Sequence, residues 1–306
     1  MNSLITVGGS LSSPSKFRSL CYGIRAIESS VYGNNTQWDN INVAYLYPGE
    51  SPAGVRSVAI NKVRSLIVAG LGVGTGSPLT FNNCLIGAYA DGINLDVKNC
   101  RKDSMIVGIF QQNGSNRSTY VFNNDIQCAV WGISCKNNMV PTSFILSRNI
   151  ISFEHSKSTL KFAGISVEGF SGVDSSNIYQ NKVSTFGARY GIEFRSVKAL
   201  QGSSNLPYRY LDVALNEVTM NAQTDTARGV ALYGAAFGLH SNQVAGTSDG
   251  TAQNLIYNSD GYYANMSPSF WCCNSVESVY NCIFRSNLPT HFAPNFPTPS
   301  SMLKAV

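Results

Sequence analysis

Two short segments recur along this 306-residue chain and leave few folds open to it. The first is an asparagine, any residue, then an aliphatic one. It stands at Asn83-Cys84-Leu85, Asn124-Asp125-Ile126, Asn149-Ile150-Ile151, Asn181-Lys182-Val183, Asn216-Glu217-Val218, Asn242-Gln243-Val244 and Asn281-Cys282-Ile283. The second is Gly-(Ile/Val)-x-apolar, at Gly92-Ile93-Asn94-Leu95, Gly132-Ile133-Ser134-Cys135, Gly164-Ile165-Ser166-Val167, Gly191-Ile192-Glu193-Phe194 and Gly229-Val230-Ala231-Leu232. Successive asparagines lie 25 to 41 residues apart, a variation that short strands of fixed length joined by variable loops would produce. Apolar and polar residues alternate with period two inside each segment, which predicts strands with one buried face. Strands this short bury little alone. Stacked in parallel, about 4.8 Å apart, they close their ladder hydrogen bonds and align like residues, so the pattern predicts a parallel solenoid. An asparagine repeated at one turn can then bond the next turn's backbone or side chain, and glycine before Ile or Val suits a bend with unusual backbone angles.

Composition removes the competing classes. Charged residues are only 13% of the chain and Ser and Asn are abundant, which excludes coiled coils and helical bundles. The net charge of +5 contains no basic run, so nucleic acid is not an expected partner. No apolar stretch is long enough for a membrane span, and MNSLITVGGS lacks the pattern of an export signal. Reduced thiols are therefore the expectation for Cys21, Cys84, Cys100, Cys128, Cys135, Cys272, Cys273 and Cys282. No Cys-x-x-Cys occurs, and His155, His240 and His291 have no metal or triad spacing. No metal or cofactor is expected.

The N-terminal part reads differently. Phe17, Leu20, Cys21, Ile24, Ile27 and Val31 follow a helical spacing, which predicts an amphipathic helix over about residues 17–31. A strand at Val43-Ala44-Tyr45-Leu46, then Pro48-Gly49, then Val55 to Ile60 and Leu66-Ile67-Val68-Ala69-Gly70 follow it. A helix, a strand ending in Pro-Gly and two more strands resemble the opening of pectate-lyase-like right-handed parallel β-helix proteins, in which the helix caps the solenoid. The resemblance covers roughly residues 15–285. It implies an all-β fold, one right-handed parallel β-helix of about nine or ten rungs. Residues 1–15 would then be an N-terminal arm, 16–285 the capped solenoid, and 286–306, with Pro289, Pro294, Pro297 and Pro299, a tail that cannot join a ladder. The run Gly70 to Gly76 fits no phosphate-binding spacing and reads as a turn between rungs.

Aligning the five glycine segments sorts residues into columns. The first and third positions after glycine face inward and the second and fourth face outward. The fourth column reads Asp96, Lys136, Glu168, Arg195, Tyr233, an outward charge ladder that would form cross-strand ion pairs. Glu168 and Glu193 fall on adjacent rungs, about 8 Å apart on the diagonal, within the carboxylate separation of an inverting glycosidase. They are the candidate catalytic pair, although Arg195 beside Glu168 favours its charged form. Trp131 and Tyr233 are candidate contacts for a glycan or partner.

Two function classes follow. By resemblance to phage β-helix spikes, and with the superfamily's pectinolytic motifs missing, the chain is expected to be a structural or receptor-binding component of a virus or phage particle. A capsid decoration protein, spike or fibre fits this description. It would be assembled in the host cytoplasm into the virion, as a homo-oligomer and by that resemblance a trimer. It would contact other virion proteins and a host surface glycan. The alternative is a polysaccharide lyase or glycoside hydrolase that uses Glu168 and Glu193.

Overall fold

In a computed structural model the chain is all-β, built from parallel sheets. The structure describes residues 3–9, 15–41, 51, 53–59, 64–69, 80–114, 116–136, 143–153, 162–170, 176–186, 188–196, 210–221, 228–233, 236–240, 243–247, 270–273, 276–280 and 283–285. The Gly70–Gly76 run, the tail after residue 285, and Asn242, Asn281, His155 and His291 lie outside the described residues.

The strands sort into three parallel ladders. The first runs β1 (Leu4–Gly8), β4 (Ser30–Asn34), β7 (Ser65–Ala69), β10 (Asn94–Lys98), β12 (Ser118–Phe122), β14 (Ser143–Ser147), β17 (Ser176–Tyr179), β20 (Tyr210–Ala214), β23 (Ala236–His240) and β26 (Val276–Tyr280). The second runs β2 (Ser15–Arg18), β5 (Thr36–Asp39), β8 (Thr80–Asn82), the starts of β11 (Arg101–Gln112) and β13 (Asp125–Lys136), then β15 (Ile150–Phe153), β18 (Lys182–Phe186), β21 (Glu217–Asn221), β24 (Gln243–Thr247) and β27 (Ile283–Arg285). The third runs β3 (Tyr22–Ile27), β6 (Ala53–Val58), β9 (Ile86–Asp91), the ends of β11 and β13, then β16 (Ala163–Phe170), β19 (Tyr190–Ser196), β22 (Arg228–Tyr233) and β25 (Phe270–Cys273). The chain visits the three ladders in the same cyclic order throughout.

Alternation along each strand supplies the interior. Val31, Leu66, Leu95, Val121, Phe144 and Ile178 line the first ladder's inner side, and Ile133, Ile165, Ile192 and Val230 the third's, all buried in one continuous core. Within the second ladder, Phe17 stacks on Trp38 (centroids 6.2 Å) and Trp38 on Phe81 (4.4 Å). The next position in that column is Lys102, fully buried, with Nζ 4.8 Å from the Phe81 centroid and no hydrogen-bond partner. Its stem passes beside Gly87, where a Cβ would meet it at 3.4 Å.

Where the first ladder turns into the second, four asparagines stack. The Nδ2 of Asn124 donates to Oδ1 of Asn149 (2.9 Å), Asn149 to Asn181 (3.0 Å) and Asn181 to Asn216 (3.0 Å). Each receiving Oδ1 also accepts the backbone N–H of the preceding asparagine. The same Nδ2 groups donate to Val97, Val121, Leu146 and Ile178 carbonyls. Asn83 belongs to another turn: its φ is +50° and its amide donates to Asn40.

Four expectations from sequence are corrected. No helix occurs among the described residues, and 17–31 holds the end of β2, all of β3 and the start of β4. Leu20 is 40% and Ile27 56% exposed, so the apolar residues do not share one face. Ile24 and Ala26 are buried with period two instead, and pairing of β3 with β6 overrides the helical spacing. Leu4–Gly8, expected in an arm, is the first strand of the first ladder. The segment Lys98 to Thr119, expected from sequence to be a long inter-strand loop, holds the twelve-residue β11. Finally, Gly92 is a turn residue with φ +65° between β9 and β10, so Asp96 falls in the first ladder, apart from Lys136, Glu168 and Arg195 in the third.

Candidate functional site on the outer side of the third ladder

The third ladder starts each strand on a column of glycines that repetition explains only in part. A Cβ on Gly54 would lie 2.8 Å from the Gly87 carbonyl oxygen. The corresponding approaches are 2.6 Å for Gly87 to Gly108, 2.5 Å for Gly108 to Gly132 and 2.5 Å for Gly132 to Gly164. Any side chain there collides with the backbone of the next strand. The constraint is therefore steric contact between strands, which is why glycine persists where the aliphatic residue after it does not (Gly87-Ala88). Gly87 lacks the Ile or Val of the repeat, and Gly108, although followed by Ile109, lacks its apolar fourth residue, which is Gln111.

This column fixes where the following side chains point. Two residues after glycine stand Arg56, Tyr89, Phe110, Ser134, Ser166 and Glu193, in register on successive strands. Four residues after glycine stand Asp91, Gln112, Lys136, Glu168, Arg195 and Tyr233, also in register. The Tyr233 side chain lies outside the described residues.

An aromatic strip occupies one end. The Arg56 guanidinium lies 4.0 Å from the Tyr89 ring centroid, and Tyr89 stacks on Phe110 at 5.5 Å. Burial raises the Tyr89 hydroxyl pKa, against the pull of Arg56. Trp131 stacks on Phe162 at 5.0 Å with Lys136 Nζ 5.3 Å from the indole. Trp131 is half-buried, and Phe162 is 37% exposed. An exposed ring with a cation beside it offers a stacking surface for a flat, partly polar ligand face.

Carboxylates occupy the other end. Glu168 is cross-strand from Lys136 and Arg195, its Oε2 4.0 Å from Lys136 Nζ. Glu193 is buried, and its Oε1 accepts from Arg195 Nε (2.8 Å) with Arg195 Nη2 also 2.8 Å away. Its Oε2 accepts from Ser166 Oγ at 3.2 Å. Both oxygens of this carboxylate are thus occupied by protein donors, a guanidinium fork on one and a hydroxyl on the other. Arg195 thus lies cross-strand from Glu168 and is ion-paired with Glu193 of its own strand. Ser134 Oγ, on the neighbouring strand, is buried and has no hydrogen-bond partner.

Other singled-out residues lie elsewhere. Asp96 sits on the first ladder, 3.0 Å from Lys98 Nζ. His240 and Trp271 fall in β23 and β25, with side chains outside the described residues. Trp38 is core. Cys21, Cys84, Cys100, Cys128 and Cys135 are free thiols, and burial pushes Cys84 and Cys135 up to about 12. Among the described residues no His, Cys, Asp or Glu cluster could hold a metal ion. Sequence reasoning missed Lys102, because a lysine between Arg101 and Asp103 reads as a solvated charge.

Comparison with protein-family models, curated proteins and solved structures gives no match.

Proposed function

We propose that this chain is a right-handed parallel β-helix that serves as a rigid structural or receptor-binding component of a virus or phage particle. The cyclic order of the three ladders supports a coil of one strand from each ladder per turn. The observation that carries the functional reading is the Asn124–Asn149–Asn181–Asn216 amide ladder, flanked by unbroken parallel pairing. Its buried polar groups cross-link successive turns, which yields stiffness and resistance to proteolysis rather than chemistry. On such a rod, the Trp131–Phe162 pair with Lys136 is the place where a host glycan would stack.

The polysaccharide-cleaving reading rests on Glu168 and Glu193 on adjacent strands of the third ladder. The Arg195 fork and Ser166 hydroxyl on Glu193 favour a structural ion pair over an acid catalyst.

The test is to incubate the purified chain with host-envelope polysaccharides and follow both binding and release of new reducing ends. Binding without release, weakened by Trp131→Ala, is the expected outcome. Sustained release that Glu193→Gln abolishes would overturn the reading in favour of the enzyme.

A further inference from the structure

We infer that the outer face of the first ladder is a self-association surface, on which a second copy of this chain packs across a two-fold axis parallel to the stack. The inference rests on the coil reading above and adds a partner to it.

The face differs from the outer side of the second ladder in charge. The second ladder carries Arg18–Asp39, Arg101–Asp103 and Lys182–Glu217 pairs along its strands. From β1 to β17 the outward positions of the first ladder hold a single charged couple, Asp96 with Lys98, which neutralise one another at 3.0 Å. The rest is serine, asparagine, threonine, small residues, and the larger Leu4, Tyr32, Ile67, Tyr120, Phe122, Ile145 and Tyr179. Parallel sheets are ordinarily covered on both sides, and protein interfaces are depleted in charge and enriched in aromatics.

The arrangement of these residues selects the partner. Thr6, Tyr32, Asp96, Tyr120 and Ile145 stand in one outward row, and Gly8, Asn34, Lys98, Phe122 and Ser147 in the next row along the strands. Consider a two-fold axis that runs along the stack, level with Val97 between the rows. It lays the first row of each copy over the second row of the other, with strands antiparallel across a gap of about 10 Å. Asp96 then faces Lys98 of the partner subunit, and Lys98 faces Asp96 of the partner subunit. Tyr32 meets Asn34, Thr6 meets Gly8, and Tyr120 meets Phe122. Ile145 meets the position of Ser147, which is itself fully buried. Charge is complementary in this register, and two aromatic pairs of Tyr120 with Phe122 lie at its centre. An axis along the strands would oppose Asp96 to Asp96 instead. The geometry favours a two-fold pair over the three-fold association expected from resemblance.

The experiment is light scattering on the full chain across a dilution series, with circular dichroism recorded on every variant. The expected result is a mass of two chains. Tyr120→Arg and Ile145→Arg should give one-chain masses with unchanged dichroism, because both sites face outward. Asp96→Lys should weaken the dimer at least tenfold, and adding Lys98→Asp should restore it. A one-chain mass at every concentration, a three-chain mass, or a dimer indifferent to Tyr120→Arg would overturn the inference. The coil reading fails separately: Ile165→Asp, which buries a charge between rungs, would then leave the dichroism native.

Discussion

Asn149 donates its side-chain amide to Asn181 at 3.0 Å, and the same Asn181 oxygen accepts the Asn149 backbone N–H at 3.1 Å. One side-chain oxygen thus satisfies two buried donors of the preceding turn, while the Asn181 amide reaches forward to Asn216 and back to the Leu146 carbonyl.

Asn181→Ala should therefore do more than delete one bond. It strands two donors and a carbonyl in a buried site, and should lower the unfolding free energy by about 3 kcal/mol or more. Asn83→Gly keeps its left-handed backbone and loses only an exposed amide bond; it should cost less than about 0.5 kcal/mol. Urea midpoints of the two variants check the contrast.

Lys102 gives the chain a pH dependence. Desolvation lowers its pKa from the ordinary 10.5, against the pull of the Cys100 and Cys84 thiols. The unfolded chain therefore binds the proton more tightly than the folded one, so stability rises with pH up to about 10.5 and falls on acidification. Lys102→Met should be more stable at neutral pH and should flatten this slope. Thermal midpoints between pH 6 and 10.5 would show the two curves converging at the alkaline end. Parallel curves would mean that folding does not lower the Lys102 pKa.

Gly132→Ala places a methyl 2.5 Å from the Gly164 carbonyl oxygen, a contact that only backbone movement relieves. The expected loss is at least about 3 kcal/mol, seen as insoluble or protease-sensitive protein. Wild-type protease resistance in this variant would refute the close packing of the glycine column.

Leu215 is half exposed and holds φ at +56°, a conformation that disfavours a side chain with Cβ. Asn99 and Asn123 occupy the same kind of turn in earlier passes of the chain. Leu215→Asn should raise the unfolding free energy by about 1 kcal/mol, measurable as a higher urea midpoint.

Arg195→Met would leave Glu193 buried without its cation. The variant should lose about 3 kcal/mol or more of stability, as when one partner of a buried ion pair is removed. Adding Glu193→Gln should recover part of that loss, because no unpaired buried carboxylate remains. A double variant no more stable than Arg195→Met would show that packing, not charge, is the role of Arg195.

The asparagine repeat and the glycine segments at 132, 164 and 191 were legible because each position answers to one contact repeated at every turn. Local alternation was enough to place Ile165 and Ile192 inside. From sequence alone came the β class, the parallel stacking and the in-register neighbours Lys136, Glu168 and Arg195. Tertiary structure decided the rest. The segment 17–31 has a helical spacing that pairing of β3 with β6 overrides, and Gly92 holds φ at +65° in a turn whereas Gly87 lies within β9. Lys102 became core through Phe81 and Gly87 on other turns, and Glu193 is held by Arg195 of its own strand together with Ser166 of the preceding turn. A one-dimensional pattern records what each turn repeats, whereas burial and charge pairing depend on what the neighbouring turn supplies.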